Sequence, residues 1–165
     1  MSVTWPAWFL SLTNAWAAVY SNHAALRIGV TFCHFAGLMA GGGLAVAADR
    51  ATLRLARASE EARITHLQEL HAVHRVVITG LVLTIASGVL MVGADLDAIA
   101  ASGIFWIKMA LVALLVVNGT VMQRAERAAF AAPEVAWPRL HRAAIVSLVL
   151  WFLIVLAGTV LTLDA

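Results

Sequence analysis

Two side chains able to do chemistry sit inside long apolar runs of this sequence, His34 and Lys108. Holding an ionisable group in hydrocarbon is costly, which makes each a functional candidate by default. His34 lies too deep in its run for the imidazole to reach water easily. Lys108 stands nearer the start of its own run, and its long stem can carry the ammonium out to the headgroups, towards Asp95 or Asp97. If it stays partly buried instead, it can act as an acid–base or charge-stabilising group, and Lys108 is therefore the candidate catalytic residue.

A second set gathers where two other apolar runs begin: His71, His74 and Arg75, then His141 and Arg142. Imidazole is a common ligand of iron and other transition metals. Two histidines on facing helices at one depth can clamp a haem iron from both sides, with arginines neutralising the propionates. His74 and His141 fit that pattern as metal ligands, with Arg75 and Arg142 as propionate partners, and His34 is a third candidate ligand. Histidines also settle at such edges through polarity alone, so a role other than ligation stays open for this cluster. His23 and His66 read as interface or loop residues without a role.

Other chemistries find little footing. No His-x-x-x-His or His-Glu-x-x-His pattern, nucleotide-binding loop or nucleophile–base pair is visible. Cys33 is the one cysteine; with no second cysteine it forms no internal disulfide, and it reads as a small packing residue. Asp49, Glu60, Glu61 and Glu69 read as lying in or beside water, which leaves no chain of proton-relay groups in the apolar runs.

These residues must be positioned by membrane-spanning helices. The chain has 165 residues, 62% of them hydrophobic against 12% charged, too few polar groups to coat a soluble core. A span needs roughly 20 mainly apolar residues, and four segments qualify: about 26–48, 72–94, 104–123 and 142–163. Their unbroken apolar character, without alternation at period two, predicts helices rather than barrel strands. Residues 5–21 hold Trp5, Trp8, Trp16 and Tyr20 and predict an amphipathic helix along the membrane interface, where such rings settle. The segment does not read as a secretory signal, because no Lys or Arg precedes Arg27. The fold class expected is all-α integral membrane: an up-down four-helix transmembrane bundle preceded by an interfacial amphipathic helix, one domain over residues 1–165.

Arginine marks the two loops after spans one and three, through Arg50, Arg54, Arg57 and Arg63, and through Arg124, Arg127 and Arg139. The loop 93–103 holds Asp95 and Asp97 and no basic residue. Positive-inside bias places the arginine-rich ends in the cytoplasm and predicts a multi-pass protein of a bacterial inner membrane, N-out and C-out. The basic excess is then a membrane collar rather than a nucleic-acid surface.

The stretch 50–70 predicts a helical extension of span one that turns before His71, and Pro133 with Pro138 mark the break between spans three and four. In span one Gly29, Cys33, Gly37, Gly41 and Ala45 recur every four residues, with Gly42 and Gly43 beside them. Small residues at this spacing let a neighbouring helix approach closely, and they equally allow a flat cofactor to lie there. Asn118 predicts a hydrogen bond between helices.

His34 is followed sixteen positions later by Arg50; span two opens on Arg75 and carries Thr79 and Ser87-Gly88; span three opens Phe105-Trp106-Ile107-Lys108. This arrangement resembles the small bacterial four-helix membrane proteins of the HemJ-type protoporphyrinogen oxidase and CopD-like group, over about residues 26–163. The resemblance implies haem binding and porphyrinogen oxidation associated with His34 and Lys108. The aromatic N-terminal segment, the glycines after Met39 and the extra histidines depart from the pattern. Taken together, the expectation is a haem b-binding membrane redox protein, a HemJ-like oxidoreductase or an electron carrier, embedded in the lipid bilayer. The alternative is a non-catalytic subunit, in a homo-oligomer or a larger membrane complex.

Overall fold

The structure, a computed structural model, describes residues 5–164. Its regular elements are helical: α1 Ala7–Asn22, α2 Ala24–Arg54, α3 Glu60–Ala94, α4 Leu96–Ala101, α5 Gly103–Ala131 and α6 Pro133–Asp164, with a 3-10 turn at Leu55–Arg57 after α2. The four long helices, α2, α3, α5 and α6, are each long and apolar enough to cross a membrane. At 29 to 35 residues they exceed the roughly 20 that a bilayer core needs. They run up and down as two hairpins, α2 on α3 and α5 on α6, joined mainly through α2 against α6, while α3 and α5 meet sparsely.

The bundle surface is the reverse of a soluble protein's. Large apolar side chains such as Met39 (77% exposed) and Phe152 (67%) point outward, as lipid contact requires. Inside, two apolar clusters fill the bundle. One holds Ala45, Leu115, Leu150, Trp151 and Ile154; the other, towards the arginine-rich end, holds Leu67, Leu70, Trp137 and Leu140 with three alanines.

The glycines of α2 pack α3. A Cβ on Gly37 would lie 2.7 Å from the Gly80 carbonyl oxygen, and one on Gly80 would lie 2.5 Å from the Gly41 backbone nitrogen. Backbone meets backbone at this seam, so α3 occupies the face at Gly37 and Gly41 that a flat cofactor also fits. Gly42 instead receives the Trp151 ring, and nothing stands within 4 Å of a Cβ at Gly29 or Gly43.

The connections differ from expectation in three places. The chain turns already at Ala58–Ser59, so residues 60–70 open α3 and do not extend α2. Ser59 caps α3 by accepting a hydrogen bond from the Ala62 N–H at 3.4 Å, with Glu60 and Glu61 in the first turn where the helix dipole favours them. The acidic loop contains the short helix α4. The fourth long helix opens at Pro133, and Pro138 lies within it. At the other end of the bundle, α1 packs on the last turns of α3, where Trp16 Nε1 donates to the Leu90 carbonyl at 2.7 Å.

Candidate functional site

Two polar centres interrupt the apolar interior. The first lies in the half of the bundle away from the arginine-rich end. His34 on α2 is half-buried and meets Ser87 on α3, with Nδ1 3.2 Å from Oγ. The Ser87 hydroxyl proton is already engaged with its own helix, at 2.6 Å from the Leu83 carbonyl and 3.1 Å from that of Thr84. The serine oxygen is therefore the acceptor and His34 Nδ1 the donor, which assigns the Nδ1–H tautomer and leaves the Nε2 lone pair unshared. Gly88 clears space for the ring: a Cβ there would come within 3.3 Å of His34 Cε1.

Lys108 on α5 belongs to the same half. Its Nζ lies where a Cβ on Gly158 of α6 would be 3.3 Å away. The ammonium is thus turned into the bundle, and among the described residues it makes no ion pair with Asp95 or Asp97. An imidazole with one nitrogen held by serine and a half-buried lysine, from two helices, thus lie in the same half of the bundle.

The second centre lies towards the arginine-rich end and draws on all four long helices. Asp49 of α2 is 3% exposed, Glu126 of α5 5% and Ser147 of α6 6%. His74 of α3 joins Glu126 across the bundle, Nδ1 to Oε2 at 3.4 Å. Asp49 and Glu126 thus lie inside the protein rather than beside water, a correction to the expectation for Asp49, and Glu126 was not singled out at all. Asp49 Oδ2 is buried without a hydrogen-bond partner. Nearer the end of the bundle, Thr52 Oγ1 and His66 Nε2 share a buried hydrogen bond of 2.8 Å, so His66 is no loop residue. Burial pushes the His66 imidazole below its ordinary 6.5, against the upward pull of Glu69 and Glu126.

Arg63 closes this end. It donates to the carbonyls of Leu55 at 3.3 Å and Ala56 at 2.7 Å, stacks 5.0 Å from the centre of the Trp137 ring and meets Glu134 at 3.2 Å. Arg75 and Arg142 are exposed, the latter donating Nε to the Pro138 carbonyl at 3.2 Å. His141 is partly exposed and enters no hydrogen bond or ion pair among the described residues. His74 therefore has Glu126 as its partner across the bundle. Asn118 makes the interhelical bond expected of it, Nδ2 to the Ala143 carbonyl at 3.0 Å.

No three His, Cys, Asp or Glu side chains among the described residues are grouped to hold a metal ion by themselves. A haem iron asks less, since the porphyrin supplies most of its donors and the protein one or two axial ligands. His34 fits that requirement through its open Nε2 and its Nδ1–H held by Ser87, the arrangement that orients a ligating histidine. No protein-family model, no curated protein and no solved structure matches the chain.

Proposed function

We propose that this chain is a haem b-binding redox protein of the membrane, with His34 as an iron ligand and Lys108 as the charged group beside it. The observation that carries the reading is the His34–Ser87 pair: the serine holds one ring nitrogen protonated and leaves the other open, inside an apolar bundle. When bound, the group supplies one-electron chemistry to a porphyrin or quinone-type partner. The chain's own part is to orient the imidazole, exclude water and hold a positive charge at Lys108 Nζ, where it can neutralise a carboxylate or a developing anion. The resemblance to the HemJ-type and CopD-like group points to the same two residues. The arginine collar supports placing that end in the cytoplasm of a bacterium, with both ends of the chain outside.

The test is the absorbance of detergent-purified protein made with ample haem, oxidised and then dithionite-reduced, with a pyridine haemochrome assay. Wild type is expected to show a Soret band and sharp reduced bands, and His34→Ala to lose them. Colourless wild-type protein would refute the reading. A second reading, a non-catalytic subunit of a larger membrane complex, has one observation in its favour: Gly29, Ala40, Gly43 and Ala47 form an exposed small-residue stripe on α2 suited to another helix. It predicts co-purifying subunits and indifference to every histidine-to-alanine change.

A further inference from the structure

We propose that Asp49, with the His74–Glu126 pair beside it, is a proton-binding site inside the bundle, filled from the arginine-rich end. The site is distinct from the His34 and Lys108 centre and does not depend on the haem reading.

Consider the groups that face Asp49. α6 contributes the Ser147 hydroxyl, which stands beside the carboxyl, and α3 contributes His74, whose other side is held by Glu126 of α5; further towards the end of the bundle, about one turn on along α2 and two along α3, lie Thr52 and His66, bonded to each other. Every arginine of that end except Arg63 is exposed, and Arg63 is turned to Trp137 and Glu134. Two buried carboxylates thus flank one imidazole, and no lysine or arginine enters between them. Fully deprotonated, the cluster would hold two like charges in low dielectric, an arrangement that proteins relieve by binding protons. One proton on His74 gives an ion pair with Glu126. Asp49 remains, its Oδ2 buried and partnerless, and a second proton there removes the last unpaired charge.

A route for that proton is built from the same end. A cleft of about 580 Å³ opens between the end of α2 and the start of α3, bordered by Arg54, Glu61 and Glu69, with His66 in its wall. The His66 ring reaches the Thr52 hydroxyl at 2.8 Å, and Thr52 lies one turn along α2 from Asp49, on the same face. Both groups can donate and accept. In the loading step water or buffer in the cleft gives up a proton, and an O–H bond forms at the Asp49 carboxylate. Release reverses both changes.

The experiment is pH-difference infrared spectroscopy of the full chain in lipid nanodiscs, in H2O and D2O. Wild type is expected to show the carbonyl band of a protonated carboxylic acid that disappears as pH rises and shifts on deuteration. Asp49→Asn abolishes it, while Glu126→Gln retains it at a moved position. His66→Phe, which fills similar space without a relay nitrogen, slows its deuteration severalfold. If Asp49→Asn fails to fold, Ser147→Ala must still move the band. A wild type with no such band, a band that survives Asp49→Asn, or one that Ser147→Ala leaves unmoved would overturn the proposal.

Discussion

Adding one methyl group at Gly80 should separate the α2–α3 hairpin on which the His34 site rests. A Cβ there would lie 2.5 Å from the Gly41 nitrogen and 2.7 Å from both the Gly37 carbonyl oxygen and the Gly41 Cα. Carbon atoms in ordinary contact stand about 3.5 Å apart or more, so the helices must part by about 1 Å. The obstructing atoms are helical backbone and cannot rotate away as a side chain would. Overpacking of this kind costs about 1–3 kcal/mol, roughly a 5- to 150-fold change in the folding equilibrium at 1.4 kcal/mol per factor of ten. The same opening carries Ser87 away from His34, whose bond at 3.2 Å has little slack. The internal control is Gly43→Ala, where nothing lies within 4 Å of the new Cβ and helix propensity adds up to about 1 kcal/mol. Reversible unfolding in mixed micelles, followed by circular dichroism, measures both. Gly80→Ala protein as stable as Gly43→Ala would refute the packing seam as described.

Three further outcomes follow from the packing. Asn118→Leu removes the buried bond to the Ala143 carbonyl and is expected to lower stability by about 0.5–2 kcal/mol in the same unfolding assay. Arg63→Ala takes the side-chain donor from the Ala56 carbonyl, one of two donors from the Leu55 carbonyl and the cation from the Trp137 ring, and should cost about 1–3 kcal/mol; Arg63→Lys should recover little, because an ammonium cannot reproduce the fork. Glu134→Ala should change stability by less than about 0.5 kcal/mol, since that carboxylate is 81% exposed. His66 gives a pH signature: the unfolded ring titrates near 6.5 and the folded ring lower. The neutral ring's stabilisation is therefore complete above that value and is lost as pH falls through the folded one. Wild type should lose stability on acidification from about pH 7 to 5 more steeply than His66→Gln, read as the unfolding midpoint against pH.

The four long helices were legible because each run is too apolar for any solvent but lipid, and Asn118 was legible because a lone amide in such a run needs a partner on another helix. The turn at Ser59 was hidden although its signals are present, a serine followed by Glu60 and Glu61. The arginines on either side make residues 50–70 look uniformly wet, and the cap is overlooked. Asp49 was misread, and Glu126 passed over, for a related reason. Asp49 adjoins Arg50, and Glu126 adjoins Arg127, and both arginines are exposed. Successive residues on a helix point about 100° apart, so the neighbours face solvent while the carboxylates face inward. Helix rotation decides this, and a single sequence of such apolar runs does not fix rotation. The glycines of α2 pointed to close packing, but their partner Gly80, together with Gly88 and Gly158, became meaningful once the helices were paired.

The claim that the reacting centre is the His34 half of the bundle is tested most directly by titrating haemin into purified wild type, His34→Ala and the double variant His74→Ala/His141→Ala, with Soret absorbance as the readout. The account predicts saturable binding by wild type and by the double variant, and its loss in His34→Ala. Binding that persists in His34→Ala and disappears in the double variant would contradict it, and would move the centre to the other end of the bundle.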